Sequence, residues 1–479
     1  MAGKGKPLVL DLDGTLLRTD MLFECLWAGL ARNPIGTLSA IVRNLGSLAA
    51  MKQELASLAS LRTDLLPVND DILALARQAE EAGRPVVVAS ASDISLVRGV
   101  ADCHGTNWQA FGSDGVTNLK GQAKAALLTE KFGAAGFDYA GDSSADMAVW
   151  QAADECILVG SSAAARTRLD AAGHSTIEVG NAWRMRDLLR ALRPHQWVKN
   201  VLLLLPMLAA HAFELPILLS VIWGMVAFSA AASAIYIVND LLDLEADRQH
   251  ETKNKRPFAA GAVPIQVGMV AFLVCVLTAC LVAISLNVGF LAVVLLYMVI
   301  SLAYSLRLKR MRWIDIATLA SLETLRVVGG AAAASVSASG FMLVFVFPIF
   351  VALGAVKRMT ELALAEDDTP LPGRGYSRRD QSDLLNFAWL GLLGALVTFT
   401  LYTLSEQAIE LYPTRWMLWL ALVPMAFWIL RMIRLGYFGK MDYDPIVFAL
   451  RDKRGLGLLS LILSMMFYAA GLWQEWFGL

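Results

Sequence analysis

The sequence predicts two architectures in series: an α/β domain over residues 1–183, and an all-α polytopic membrane bundle with nine transmembrane helices over residues 198–479, joined by an interfacial linker at 184–197. Two observations carry this reading. Hydrophobic residues make up 57% of the 479-residue chain and charged ones 17%, and the apolar excess is concentrated after about residue 197. Before it, short apolar strands run into acidic or hydroxyl residues, the arrangement of an open α/β sheet. Residues 1–190 carry 18 Lys and Arg against 22 Asp and Glu, and residues 191–479 carry 23 against 20. Neither half has the basic surplus of a nucleic-acid-binding domain. The five cysteines (Cys25, Cys103, Cys156, Cys275, Cys280) lack metal-type spacing, and their odd number speaks against a disulfide framework. The first six residues lead directly into a strand, which predicts no signal peptide and a cytoplasmic N-terminal domain.

The first strand, at 7–10, ends in Asp11-Leu12-Asp13-Gly14-Thr15-Leu16. Two aspartates two apart at a strand end share one side of the chain, and Gly14 permits a sharp turn. One carboxylate can then act as nucleophile and the other as general acid/base. A second strand at 85–89 ends in Ser90-Ala91-Ser92, which offers a hydroxyl to a phosphoryl oxygen. Lys120 and Lys124 precede or open a helix over 125–132, and either supplies a cation. A third strand, at 137–140, runs into Gly141-Asp142-Ser143-Ser144-Ala145-Asp146. Each candidate lies at the carboxyl end of a strand, where open α/β sheets build their sites.

These four segments, in this order, resemble the motifs of the haloacid dehalogenase-like phosphohydrolases over about residues 7–180. The resemblance implies a Rossmann-like fold, with Asp11 as phosphoryl-accepting nucleophile and Asp13 as acid/base. It implies Ser90 (or, less well matched, Ser92) on the phosphoryl group and Lys124 (or Lys120) for charge neutralisation. Mg²⁺ would be held by Asp11, Asp142 and the Asp13 backbone carbonyl, supported by Asp146. Helical patterning at 22–30, 38–50 and 71–82 falls where that superfamily inserts a cap, here about 18–83. The first of these stretches, with Leu22, Phe23, Leu26, Trp27 and Leu30, is more apolar than a surface helix needs. Packing on the phosphatase core explains it, and so does docking on the bilayer or on the membrane domain.

With about 20 apolar residues per crossing as the yardstick, nine spans are expected at 198–212, 216–239, 265–286, 288–305, 313–335, 340–358, 384–404, 414–433 and 456–474. Of the 23 Lys and Arg after residue 190, Arg415 falls in an outer loop and Arg326 within a span; the other 21 lie at inner ends or inner loops. That asymmetry predicts the amino terminus inside and the carboxyl terminus outside a bacterial-type inner membrane, with both sets of polar motifs facing the cytoplasm.

The second span ends in Asn239-Asp240-Leu241-Leu242-Asp243-Leu244-Glu245-Ala246-Asp247-Arg248. On a helix, Asp240, Asp243 and Asp247 share one face within roughly a 60° arc. Three carboxylates at a membrane surface suit a cation, and Lys253 and Arg256 follow as partners for phosphate oxygens. Within the fifth span lie Asp315, Glu323 and Arg326; an isolated mid-membrane charge costs at least about 2.5–3.5 kcal/mol, so such groups pair or line a cavity. Glu323 and Arg326, three apart, suit pairing as well as substrate contact, and Asp315, nearer the inner surface, is the better candidate for a site.

The spacing Asn239-Asp240-x-x-Asp243-x-x-x-Asp247 resembles the first aspartate-rich motif of the UbiA superfamily of intramembrane prenyltransferases, over about residues 190–479. Its second acidic pair is incomplete, because Asp315 is followed four residues on by Leu319. The segments around Trp197-Val198-Lys199-Asn200, Tyr304 to Lys309, Lys357-Arg358 with Glu361, and Asp444-Pro445 to Arg451-Asp452 resemble one branch, the decaprenyl-phosphate phosphoribosyltransferases. That resemblance implies phosphoribosyl pyrophosphate as donor and a polyprenyl phosphate as acceptor. It places Mg²⁺ on Asp240, Asp243 and Asp247, with Lys199, Asn239, Arg248, Lys253, Arg256, Tyr304, Lys309, Asp315, Lys357, Arg358, Arg374 and Arg451 toward the substrates. The expectation is a bifunctional enzyme whose phosphatase half removes the 5-phosphate of the ribosylated lipid. Transfer of a prenyl group from its diphosphate to a small acceptor is the alternative, as is a phosphatase-like domain that only binds or regulates.

Overall fold

The computed structural model describes residues 5–160, 163–180, 182–365, 374–441 and 444–478. The chain divides into two compact units: Met1–Leu192 together with Tyr236–Phe272, and Arg193–Ile235 together with Leu273–Leu479.

The first unit is built on six parallel strands. In chain order it runs β1 (Leu8–Leu10), α1 (Met21–Arg32), α2 (Pro34–Arg43), α3 (Leu48–Ala59), α4 (Asp70–Glu81), β2 (Val86–Asp93), α5 (Ile94–His104), β3 (Gln109–Ser113), α6 (Gln122–Phe132), β4 (Asp138–Gly141), α7 (Met147–Trp150), β5 (Glu155–Val159), α8 (Ala163–Ala171), β6 (Ser175–Val179) and α9 (Met185–Ala191). The sheet order is β3-β2-β1-β4-β5-β6. Strands with helices on both faces bury both sides, and β1, β2 and β4 read as Val-, Leu- and Ala-rich runs accordingly. The order reverses between β1 and β4, which opens a crevice at their carboxyl ends. The segment expected as a cap, about 18–83, resolves into two parts. Helices α1–α3 form the insertion, whereas α4, with Ile72, Ala76 and Ala79 buried in the core beneath the sheet, is the crossover helix that parallel pairing of β1 with β2 requires.

The same unit contains the end of α11 (Leu215–Leu242), α12 (Leu244–Gln249) and the start of α13 (Ile265–Leu286). Here the ambiguity about α1 resolves. Phe23 and Trp27 pack with Leu241, Leu244, Phe258 and Ile265, while Met21 and Cys25 on the other face join the core of the sheet domain. A short helix thus buries two faces, which accounts for its apolar excess.

The second unit is helical. Residues Pro194–Leu204 form a 3₁₀ helix that passes into α10 (Leu205–Ala209). The helices after α13 are α14 (Val288–Leu306), α15 (Ile314–Ala334), α16 (Gly340–Ala363), α17 (Gln381–Thr403), α18 (Glu406–Leu411), α19 (Trp416–Tyr437), α20 (Pro445–Ala449), α21 (Lys453–Ala469) and α22 (Leu472–Phe477). Among the described residues, seven helices are long and apolar enough to cross a membrane: α11, α13, α14, α15, α16, α17 and α19. Two of the nine expected spans are not among them. Residues 198–212 form the 3₁₀ segment and the five-residue α10, where Pro206 has no N–H to continue an α-helical ladder. Residues 456–474 are divided between the 17-residue α21 and α22 by Gly471 at φ 76°. The larger core of this unit joins α15, α16, α17 and α19, with Ile316, Phe350, Met359, Leu392 and Met432 buried within it.

Candidate functional site

In the first unit, Asp11 follows β1 directly and Asp142 follows β4, so the two acids flank the crevice. Gly14, at φ 74°, is required twice over: a Cβ there would stand 2.2 Å from Asp142 Oδ2, and the left-handed backbone would be strained. One oxygen each of Asp11, Asp142 and Asp146 lie within 4.8 Å of one another, the single such cluster of His, Cys, Asp or Glu among the described residues. Lys124 Nζ donates to Asp11 Oδ1 (2.9 Å) and Tyr139 Oη (2.9 Å) and approaches Asp146 Oδ1 (3.4 Å). Of the two candidate lysines, Lys124 is the one bonded to Asp11, and Lys120 is exposed. Burial, reinforced by Asp146 and Asp13 and opposed by Lys124, pushes the Asp11 carboxyl up to about 8. Burial, Asp146 and Asp13 push Asp142 up to about 7. Clustered buried carboxyls that resist ionisation are an oxygen donor set fitted to a hard divalent cation such as Mg²⁺.

The Asp13 side chain is not in that cluster. Its Oδ1 accepts from the Met21 N–H (2.7 Å), and its Oδ2 accepts from Ser90 Oγ (3.0 Å) and Ser92 Oγ (2.8 Å). The choice between the two serines dissolves, because residues two apart on β2 point to one face and both reach Asp13. Sequence reasoning missed three groups here. Tyr139 bridges Lys124 and Asp146, donating to Asp146 Oδ1 at 2.7 Å. Lys52 of α3 donates to the Ala91 carbonyl (2.7 Å), beside the serines; its burial lowers the ammonium pKa against the pull of Asp13 and Asp20. Glu24 is the third. Its ionic partner lies 224 residues along the chain, too far for any periodic signal.

Glu24 meets Arg248. Arg248 Nη2 and Nη1 donate to the Glu24 carboxylate at 2.5 and 3.0 Å, with side-chain exposures of 7% for the arginine and 2% for the glutamate. Arg248 was expected to hold substrate; instead its planar fork is matched to a carboxylate, and its Nε donates to the Ala259 carbonyl (3.1 Å). The aspartate motif also departs from the single helical face expected. The chain leaves α11 at Leu242, Asp243 takes φ −100° and ψ 12°, and α12 restarts at Leu244. Asp240 and Asp247 are both buried, and Arg256 Nη1 lies 3.1 Å from one and 2.6 Å from the other. Asp243 and Asn239 are half-buried beside them, and Lys253 is exposed on a single 3₁₀ turn. Burial raises the Asp247 carboxyl despite Arg256. Asp240, Asp243 and Asp247 suit a hard cation by donor chemistry, and Arg256 competes for two of their oxygens.

In the second unit the expected substrate ligands gather in two groups. Asp315, fully buried, accepts from Arg358 Nε (2.6 Å) and Nη2 (2.9 Å), from Tyr304 Oη (2.9 Å) and from Arg374 Nη1 (3.3 Å). Arg358, also fully buried, reaches Glu361 Oε2 at 2.5 Å. It was expected to hold phosphate. Two carboxylates and a tyrosine already surround it, and burial without them would leave an uncompensated cation. Lys199 Nζ lies 2.5 Å from Asp444 Oδ2 and 4.0 Å from Glu323, and Lys357 Nζ lies 3.9 Å from Asp444. Burial alone would raise the Asp444 carboxyl, but Lys199 and Lys357 hold it below the usual carboxylate range. Glu323 and Arg326 pair at 2.8 Å, as their spacing allows, and Arg326 also reaches Asn200 and Tyr297. Lys309 is buried on the 3₁₀ turn after α14, and Arg451 is exposed before α21.

Residues 201–370 match the UbiA prenyltransferase family. An uncharacterized protein of Sinorhizobium fredii, y4nM, is 35% identical over 464 residues, which cover 96% of this chain and 90% of that one. Decaprenyl-phosphate phosphoribosyltransferase of Mycobacterium tuberculosis is 35% identical over 281 residues, 57% of this chain and 90% of that enzyme. A solved UbiA homologue from Archaeoglobus fulgidus, bound to DMAPP and Mg²⁺, covers 59% of this chain and 99% of its own at 14% identity and a TM-score of 0.46. With seven apolar helices in addition, this is an integral membrane protein, and the chain belongs to the UbiA prenyltransferase family.

Proposed function

We propose that this protein transfers 5-phosphoribose from phosphoribosyl pyrophosphate to a polyprenyl phosphate, and that its sheet domain then removes the 5-phosphate. The observation that carries the reading is the pair of phosphate-type sites in one chain. One is the acid cluster Asp11, Asp142 and Asp146 with Lys124 at a sheet switch point. The other is the motif Asp240, Asp243 and Asp247 within a family relative of decaprenyl-phosphate phosphoribosyltransferases.

In the transferase step, Asp240, Asp243 and Asp247 would hold Mg²⁺, which when bound neutralises the pyrophosphate and stabilises it as it leaves C1 of the ribose. Arg256 shifts from the carboxylates to phosphate oxygens as the substrate arrives. By the likeness to the phosphoribosyltransferases, Asn239 and Lys253 of the first unit would be phosphate contacts, and so, within the second unit, would Lys199, Lys357, Lys309 and Arg374, with Tyr304 and Arg451. Asp315 holds Tyr304, Arg358 and Arg374 in place. In the phosphatase step Asp11 attacks phosphorus, and the ribosyl 5-oxygen leaves with a proton from Asp13. Asp13 then takes a proton from the water that cleaves the aspartyl phosphate. Lys124 neutralises charge around Asp11, and Ser90 and Ser92 fix the Asp13 carboxyl. A Mg²⁺ on Asp11, Asp142 and Asp146 would lower the charge of the phosphoryl group. The basic loops favour an orientation in which both sites would face the cytoplasm.

Protein reconstituted with Mg²⁺ and a polyprenyl phosphate is offered phosphoribosyl pyrophosphate or a prenyl diphosphate. Ribosylated lipid in the first mixture supports the reading, and product only in the second replaces it with prenyl transfer.

A further inference from the structure

Helix α2 carries an apolar stripe that no described residue covers. Ile35, Leu38 and Val42 recur three and four apart, so they share one face, and they are 82%, 56% and 67% exposed. Leu45, just beyond the helix, is 73% exposed. The opposite face is packed: Thr37 and Ala40 are fully buried, and Thr37 lies so close to Gly29 of α1 that a Cβ there would stand 2.6 Å from its hydroxyl oxygen. From residue 33 to residue 51 the one charged side chain is Arg43, and no acid intervenes. Arg43 is ion-paired with Glu54 of α3 at 2.5 Å, so the helix offers an apolar stripe with no acid of its own, which suits a lipid surface rather than water.

Where the helix sits says which surface. Asn33 alone separates α2 from α1, and α1 lays Phe23 and Trp27 on the last turn of α11 and the first turns of α13. Both are long and apolar enough to cross a membrane, which would set those turns near the bilayer boundary. Helix α9 reports the same level. Its Leu188 and Ala191 join the cluster of Phe23 and Trp27, whereas Met185 and Leu189 are 60% and 50% exposed among Arg184, Arg186 and Arg190.

We propose that α2 is an interfacial membrane helix, which inserts Ile35, Leu38, Val42 and Leu45 into the headgroup–acyl boundary of the bilayer that α11 and α13 cross. The insertion would hold the α1–α3 cap, and with it the Asp11 crevice, at the height where a lipid-linked phosphate emerges. The insertion itself does not depend on the proposed reactions; its consequence for lipid hydrolysis rests on them.

The test uses the full chain in phosphatidylethanolamine–phosphatidylglycerol vesicles, with Cys103→Ser, Cys275→Ala and Cys280→Ala as background and a bimane label on Leu38→Cys. Doxyl-labelled lipid should quench the label at least twofold, and aqueous iodide should quench it several-fold less than free dye. Full iodide quenching with no doxyl quenching overturns the proposal, as does efficient Leu38→Cys cross-linking between two copies. In a second arm, Leu38→Glu with Val42→Glu should leave hydrolysis of a soluble phosphomonoester within twofold of the parent and slow hydrolysis of a vesicle-embedded lipid phosphate at least tenfold. Equal loss on both substrates, or on neither, refutes the positioning role. A parent that hydrolyses neither would sink the phosphatase reading while the labelling result stands.

Discussion

Replacing Glu24 by Ala should loosen α1 from the aspartate-motif segment more than any other single change in that contact. The arginine it leaves behind is 7% exposed and loses both charge-assisted bonds, at 2.5 and 3.0 Å, and the Thr19 hydroxyl loses its acceptor at 2.7 Å. Removing one member of a buried pair costs about 3–5 kcal/mol, mostly as the uncompensated charge that remains. If α1 opens locally by leaving Arg248, its amides should lose about 10²- to 10⁴-fold of hydrogen-exchange protection, the same energy read as an opening constant. Exchange followed by mass spectrometry on peptides covering Met21–Arg32 measures this in detergent. The double change Glu24→Leu with Arg248→Met should recover most of the protection, because apolar replacements of buried ion pairs are neutral or stabilising. Unchanged protection in Glu24→Ala would refute the argument that this pair holds the helix.

Three further outcomes follow from the same geometry. Without divalent cations, stability should fall as pH rises from about 4 to 8, since the folded state keeps protons on Asp20 (raised to about 6), Asp142 (about 7) and Asp11 (about 8) that the unfolded chain has released. Thermal melts should show this slope flattened by Mg²⁺ and reduced in Asp11→Asn; a slope of the opposite sign would contradict the burial of these acids. Lys124→Ala should lower phosphomonoester hydrolysis by at least about 10²-fold, with Lys120→Ala near the parent, as initial rates would show. Arg358→Ala should lower the melting temperature sharply, because the fully buried Asp315 loses its two shortest charge-assisted bonds and keeps Tyr304 and a longer contact to Arg374, and Arg358→Ala with Asp315→Ala should melt higher than Arg358→Ala alone.

How much of this was legible in the sequence depends on distance along the chain. Asp11, Asp142 and Asp146 announced themselves because strand ends and short spacings are local signals, and the parallel sheet follows from the same strands. The Glu323–Arg326 pair was readable for that reason too. The Asp243 break was not: no glycine or proline marks it, and Arg256 draws Asp240 and Asp247 together without a helical face. Phe23 and Trp27 gave a periodic apolar pattern that two different partners satisfy equally, so only the fold decides between them. Pro206 was visible, but a count of apolar residues does not distinguish a 3₁₀ segment from an α-helical span. Arg358 and Asp315 lie 43 residues apart on different helices, and sequence alone offered each of them to the substrate.

The most direct test of two sequential phosphate-handling steps is the lipid product of wild type and Asp11→Asn, each reconstituted with Mg²⁺, polyprenyl phosphate and phosphoribosyl pyrophosphate and analysed by mass spectrometry. Wild type should yield polyprenyl-phosphoryl-ribose, and Asp11→Asn should stop at the same lipid still carrying the 5-phosphate. Identical products from the two proteins, or no ribosylated lipid from either, would contradict the account.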